Sequence, residues 1–167
     1  MRKRSFPKSL LLVVPFLVMA AHAAEASDPS VPLSEEEVTL DKIKTFFDAA
    51  FLKAEFDSDG DLKIDDEGLI SYIKIDAEKK LITYFSPWAM KASIPDLKKL
   101  EFINDLNDGL VLARFCMPRS TTLWCDYQLL YDGGITPYTI ISNYRLFAKV
   151  VKGAIITKDT DNIVGSD

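Results

Sequence analysis

Apolar residues recur at helical spacing in three segments of the chain, each bounded by residues that commonly begin or end helices. Ser34 and Glu37 have the spacing of a capping box before the first segment, and Gly109 follows the second. Thr136 precedes Pro137 at the start of the third, where proline suits the first helical turn. The pattern predicts three helices: from about Glu35 to Lys53, from about Ser93 to Gly109 and from Thr136 to Lys158.

Between these segments the pattern changes to short runs that are rich in β-branched and aromatic residues and are separated by turn residues. Asp59 and Gly60 supply one such turn, because an Asp-Gly pair adopts positive φ at little cost. The runs predict six strands: Ala54 to Asp57, Leu62 to Asp66, Leu69 to Asp76, Leu81 to Trp88, Leu110 to Met117 and Leu123 to Tyr131.

The order of the predicted elements, α-β-β-β-β-α-β-β-α, indicates an α+β domain in which an antiparallel sheet packs with flanking helices. The sheet is expected to be antiparallel because hairpin-length connections cannot join parallel strands. Helices on one face would leave the other face partly free. Trp88, Trp124, Tyr84 and Tyr127 lie on the predicted strands and are candidates for a binding surface there, although core packing is the commoner fate of any single one.

The first 23 residues have the pattern of an export signal. A basic start precedes the apolar run 10–21, and Ala21 and Ala23 are spaced as in a signal-peptidase site. The run is shorter than the roughly 20 residues of a membrane-spanning helix, and no later stretch approaches that length. We therefore expect cleavage near Ala23 and a periplasmic or secreted protein, with a flexible linker at 24–34, one domain at 35–158 and a polar tail at 159–167.

Cleavage would change the chemistry available to the chain. Its one histidine, His22, lies inside the signal, so the mature protein would lack the commonest general base and zinc ligand. Four of the 20 Lys and Arg, but none of the 25 Asp and Glu, also lie there, which leaves 16 basic residues and a net charge of −9. An acidic chain without a basic run neutralises phosphates poorly, so we expect no binding to nucleic acid.

The two cysteines, Cys116 and Cys125, flank the segment MPRSTTLW, which we interpret as a hairpin turn. A turn centred between Ser120 and Thr121 would place the cysteines directly opposite each other. In an oxidising compartment this arrangement predicts a disulfide, with a stabilisation of about 2 to 3 kcal/mol from the chain-entropy estimate. The spacing does not match the C-x-x-C motif of redox catalysts.

Alternating aspartates at Asp57, Asp59 and Asp61 match the start of a calcium-binding EF-hand loop. The sixth position should be glycine and is Leu62, and the twelfth should be glutamate and is Gly68. We therefore predict an acidic hairpin turn, no metal and no cofactor, with a calcium-binding module as an alternative. A histidine-free hydrolase or small-ligand binder is a second alternative, although no residue spacing points to a catalytic group.

The segments FINDLNDGLVLARF and LWCDYQLLYDGGITPYTIISNYRLF resemble the YbjN family of bacterial proteins. The family pattern has an Asn-x-x-Asn helix end, here Asn104 and Asn107, then a hairpin and a glycine-rich link, here Gly133 and Gly134, to a C-terminal helix. The resemblance runs from about residue 39 to 153. It implies a fold similar to that of type III secretion chaperones and a regulatory or chaperone-like role, with no established catalytic residues.

These features together predict an exported, non-enzymatic domain that binds a protein partner through its free sheet face or a helix groove, and that could associate as a homodimer. Export would separate such a domain from the cytoplasmic partners of a secretion chaperone.

Overall fold

The computed structural model describes residues 28–167. The predicted signal peptide with His22, the cleavage site at Ala23 and the first part of the predicted linker lie outside the described residues. Within them, the helices are α1 (Leu40–Ala49), α2 (Asp96–Gly109) and α3 (Pro137–Lys158), and the strands are β1 (Ala54–Phe56), β2 (Leu62–Asp66), β3 (Leu69–Asp76), β4 (Leu81–Ala89), β5 (Arg114–Arg119) and β6 (Thr122–Leu130). This order confirms the predicted α+β fold class.

All six strands form one antiparallel sheet in the order β1-β2-β3-β4-β6-β5. Strand β6 lies between β4 and β5 because the chain leaves β4 through α2 and returns at the edge of the sheet as β5. Strands β1 and β5 are therefore the two edges. No helix of residues 28–167 has the length and apolar character to cross a membrane.

The helices pack on one face of the sheet, where alternate strand residues point into a common core. Tyr84 of β4 lies edge-on to Tyr144 of α3, with ring centroids 5.9 Å apart, and Tyr144 meets Phe47 of α1 at 4.9 Å. The buried hydroxyls are paired: Tyr84 donates to the carbonyl of Ile140 at 2.9 Å, and Ser71 bonds Tyr144 at 3.0 Å. Pairing removes the cost of burying these polar groups.

The first helix is shorter than predicted. The side chain of Glu37 accepts the backbone N–H of Ser34, as in a capping box, but the box closes only a 3₁₀ turn over Glu35–Glu37. The chain then extends through Val38, which is buried, and Thr39 caps α1 by accepting the N–H of Lys42. Two competing N-caps lie in this segment, and burial of Val38 in the core favours the second as the start of the α-helix.

Both ends of the described chain pack on the domain, including the part of the predicted linker that the structure describes. Leu33 and Ile135 exchange two backbone hydrogen bonds of 2.8 and 3.1 Å, and Leu33 is buried. After α3, the carboxylate of Asp159 accepts the N–H groups of Ile163 and Val164. Ile163 is also buried, so apolar burial holds both segments against the core.

Candidate functional site

The face of the sheet away from the helices carries a stack of three aromatic rings, which we call the aromatic stack: Tyr72, Phe85 and Trp124. Tyr72 lies directly opposite Phe85, with ring centroids 5.1 Å apart, and Phe85 lies diagonally next to Trp124, at 4.7 Å. The planes of neighbouring rings differ by 16° and 12°. The Nζ atom of Lys74 lies 5.0 Å from the centre of the Phe85 ring. The register of three adjacent strands therefore produces one continuous aromatic surface.

Next to the aromatic stack is a shallow depression of about 460 Å³, which we call the Trp124 groove. Its lining residues are Arg114, Cys116, Pro118, Arg119, Thr122 and Trp124.

An ion pair forms one side of this groove. Arg114 donates two hydrogen bonds to the carboxylate of Asp126, at 2.6 and 3.2 Å. The side chain of Asp126 is 6% exposed and that of Arg114 is 66% exposed. These hydrogen bonds raise the pKa of the Arg114 guanidinium above its usual value. Within residues 28–167, Arg119 has no ion-pair or side-chain hydrogen-bond partner, so its charge is available to a ligand.

A register shift in the β5–β6 hairpin separates the two cysteines. Arg119 lies opposite Thr122, as the predicted turn requires, but a bulge between Cys116 and Arg119 pairs Cys116 with Trp124. Since side chains alternate along a strand, one extra residue moves Cys116 to the open face, whereas Cys125 points into the core. The predicted disulfide is therefore wrong, and both thiols are free. Burial raises the pKa of each thiol, most strongly that of Cys125.

Helix α2 holds the edge of the sheet beside the groove. The side-chain amide of Asn107 donates to the carbonyl oxygen of Phe115 and accepts its N–H, both at 2.9 Å. The backbone N–H and carbonyl of Phe115 face away from β6, so Asn107 occupies the hydrogen-bonding positions that an added strand would use. Lys99, whose side chain is 1% exposed, donates to the backbone oxygen of Ser120 in the turn at 2.6 Å. The groove is thus built on a hairpin attached at both its edge and its turn.

Of the four aromatic residues predicted for a binding surface, the structure places Trp124 on the open face and the other three on the helix face. Tyr84 is fully buried and stacks on Tyr127, with ring centroids 6.2 Å apart, so it cannot belong to an exposed surface. Tyr127 donates to the side chain of Asn143 of α3, and Trp88 packs against the core.

Two members of the aromatic stack, Tyr72 and Phe85, were not among the predicted site residues. Side chains alternate along a strand, so Tyr72 and Phe85 lie on the face opposite to the core residues that adjoin them in sequence. That signal was available from the sequence. Their proximity to Trp124 depends on the order of strands in the sheet, which alternation does not specify. Phe85 is only 5% exposed because its neighbours in the stack cover it.

The aspartates of the β1–β2 turn stabilise the turn through local contacts. One oxygen of the Asp57 side chain accepts the N–H groups of Asp59 and Asp61, each at 2.9 Å, and Gly60 has a φ of 84°. The Asp61 carboxylate pairs with Lys74 at 3.0 Å. In the part of the chain that the structure describes, no group of three or more His, Cys, Asp and Glu side chains is arranged to hold a metal ion. The geometry is that of an Asx turn.

Comparison with known proteins supports this fold. The family model YbjN, described as "Putative bacterial sensory transduction regulator", matches residues 39–155. The structure is similar to a crystal structure of "YbjN, a putative transcription regulator from E. coli", with a TM-score of 0.64 and 13% identity over 76% of this chain and 96% of that chain. No curated protein sequence matches the chain significantly.

Two further solved structures are similar at lower TM-scores. One is the HopA1-SchA chaperone-effector complex, with a TM-score of 0.48 and 11% identity over 66% of this chain and 88% of that chain. The other is the Yersinia pestis type III secretion chaperone SycH in complex with a fragment of YscM2, with a TM-score of 0.44 and 14% identity over 66% of this chain and 94% of that chain.

Proposed function

Because the chain belongs to the YbjN family, whose description is that of a bacterial regulator, we propose that it is a non-enzymatic regulatory protein that binds a polypeptide on the open face of its sheet. The observation that carries this proposal is the aromatic stack beside the Trp124 groove, on a face that no helix of residues 28–167 covers. Tyr72 and Trp124 are half-buried there, and partly exposed aromatic side chains on an uncovered face are typical of protein interaction sites.

The chemistry of the groove favours binding over catalysis. Cys116 is the candidate nucleophile in the lining of the groove, but partial burial raises the pKa of its thiol, which keeps the thiol protonated near neutral pH. A nucleophilic cysteine needs the opposite shift, toward the thiolate. The guanidinium of Arg114 is held by Asp126 and cannot act as a base.

Site-specific photo-crosslinking tests the proposal. A photoreactive amino acid at Gln128, an exposed position of β6 on the open face, should give adducts with a polypeptide in cells that express the chain at its natural level. The matched control is the same amino acid at Lys149, an exposed position of α3 on the other side of the domain. Adducts of equal yield at both positions, or none at Gln128, would contradict the proposal, and adducts of twice the chain mass would identify a homodimer.

We also propose that residues 1–23 direct export and that cleavage follows Ala23, which the sequence pattern supports. Cell fractionation followed by mass spectrometry of the intact protein tests this. The expected result is a periplasmic or secreted chain that begins at Ala24. A chain in the cytoplasm that retains its basic start would contradict it, and the partner would then be sought in the cytoplasm.

A further inference from the structure

We propose that the Trp124 groove receives an acidic segment of a partner protein, which stacks an aromatic side chain on Trp124 and places a carboxylate against Arg119. This inference rests on the proposed function and names the class of partner at the same site.

The first step concerns the aromatic stack, which is open toward the groove. Phe85 has a ring on each side, at 5.1 Å and 4.7 Å, and is almost completely covered. Trp124 ends the stack and lines the groove. A planar side chain that enters the groove can therefore continue the stack in the offset-parallel arrangement that aromatic rings favour.

The second step concerns charge. Among residues 28–167, the groove is lined by two arginines and no carboxylate, on a chain with 25 acidic and 20 basic residues. Arg114 is committed to the buried carboxylate of Asp126, whereas Arg119 has no partner among the described residues. A local cationic groove on an acidic protein is electrostatically complementary to an acidic segment and repels a basic one.

The third step concerns the mode of docking. Asn107 occupies the outward hydrogen-bonding groups of Phe115, Pro118 has no N–H to donate, and the bulge distorts the strand. A partner strand therefore cannot extend the sheet along β5. Binding in the groove must depend on the partner's side chains, which makes an aromatic residue flanked by acids the expected signature.

Two other occupants fit less well. A second copy of the chain, joined about a two-fold axis through this face, would bring the arginines of one groove toward those of the other. A single-stranded nucleic acid could stack on Trp124, but it carries a negative charge on every nucleotide, and among the described residues of the groove only Arg119 is left without a partner to neutralise such charges. Each is an outcome of the experiment below.

Selection from a phage-displayed library of random linear peptides tests the inference. The target is the purified protein, expressed with residues 1–23 in place so that any processing occurs naturally. The expected peptides carry an aromatic residue flanked by Asp or Glu. Arg119→Glu should weaken their binding by about tenfold, which corresponds to roughly 1.4 kcal/mol, and Arg119→Lys should weaken it less. A peptide with lysines in place of its acids should regain affinity for Arg119→Glu, while Lys149→Glu should change nothing.

Cys116 provides an internal probe of the same site, because it lines the groove and its thiol is free. A selected peptide at saturation should slow alkylation of Cys116 by iodoacetamide. Arg119 is exposed and has no ion-pair partner among the described residues, so its variants should fold like the wild type, which circular dichroism can verify. The test therefore does not depend on whether the variant Trp124→Ala folds.

The inference is overturned if the selected peptides are basic or purely aliphatic, if none is selected, or if Arg119→Glu binds them as well as the wild type. It is also overturned if a thymidine oligonucleotide binds the groove more tightly than the peptides, or if Trp124→Ala converts a dimer in solution to a monomer. Crosslinks at Gln128 to a polypeptide that has no aromatic residue flanked by acidic residues would refute this inference, but the proposed function would still hold. Absence of those crosslinks would refute the proposed function itself.

Discussion

Cys116 and Cys125 lie on opposite faces of the β5–β6 hairpin. The bulge between Cys116 and Arg119 pairs Cys116 with Trp124 on the open face, and Cys125 pairs with Phe115 on the helix face. A disulfide needs β-carbons about 3.5 to 4.5 Å apart on the same side of a hairpin. The bulge thus keeps one thiol at the groove and the other in the core.

Thiol counting follows directly from this arrangement. Protein that is purified without reductant and then denatured should have two reactive thiols. In the folded protein Cys116 should react slowly and Cys125 much more slowly, because Cys125 is fully buried and burial raises the pKa of its thiol. Cys116→Ala should abolish the faster reaction and Cys125→Ala should not. A denatured sample with no reactive thiol would show that the hairpin adopts a different register.

Asn107 should contribute measurably to stability through its contacts with Phe115. Asn107→Ala removes two hydrogen bonds to an edge strand, and we expect the free energy of unfolding in urea to fall by about 1 to 2 kcal/mol. Asn104→Ala is the matched control, since Asn104 is an exposed residue of the same helix and alanine favours helix formation. Equal changes in the two variants would mean that the Asn107 contacts contribute nothing to stability.

Asp57 should contribute more to stability than its acidic neighbours in the β1–β2 turn. Asp57→Ala removes the acceptor for the N–H groups of Asp59 and Asp61, so we expect a loss of about 1 to 2 kcal/mol. Asp59→Ala removes an exposed carboxylate and should change stability by less than about 0.5 kcal/mol. Thermal unfolding with and without millimolar calcium chloride distinguishes a structural Asx turn from a metal site. A calcium-dependent rise in Tm that both variants abolish would establish the calcium alternative.

The buried tyrosines should make stability depend on pH in the alkaline range. Burial raises the pKa of Tyr84 and Tyr144 above the ordinary value of 10.0. Above about pH 10 the unfolded chain therefore loses protons that the native state retains, and the free energy of unfolding falls as pH rises toward the folded pKa values. Below pH 10 this contribution is fully present. The Cys125 thiol acts in the same direction from its ordinary value of 9.0.

Urea denaturation at pH 8 and at pH 10.5 measures this effect. The double variant Ser71→Ala, Tyr144→Phe removes both hydroxyls of a buried pair, so it avoids an unsatisfied partner. It should lose less stability than the wild type between the two pH values. Tyr138→Phe, on the exposed first turn of α3, is the control and should follow the wild type. Identical losses in all three proteins would refute the contribution of Tyr144.

Several elements could be predicted because local signals agreed with one another. The bounds of β2 and β3 match the prediction since alternation, β-branched residues and turn residues coincide there. The start of α3 matches because Thr136 and Pro137 suit only the N-cap and first turn of a helix. Where local signals competed, as at Ser34 and Thr39, the core decided which one started the helix.

Helix α2 shows why the remainder could not be predicted. Leu97 and Leu100 lie at helical spacing with the buried residues, yet they are 68% and 46% exposed, while Lys99 is buried. The Lys99 amine finds its acceptor in Ser120, which is distant in sequence and comes close only when the hairpin packs on the helix. A pattern of hydrophobicity contains no information on such a partner.

The sequence by itself determined the order and type of the elements, most of their bounds and the family resemblance, because these depend on propensity, periodicity and turn chemistry within short stretches. Only the tertiary structure decided which aromatic residues share the open face, that Arg119 has no ion-pair partner among the described residues, and why the cysteines stay apart. Those features depend on strand order and on a one-residue bulge, and a shift of one residue moves every side chain beyond it to the other face of the sheet.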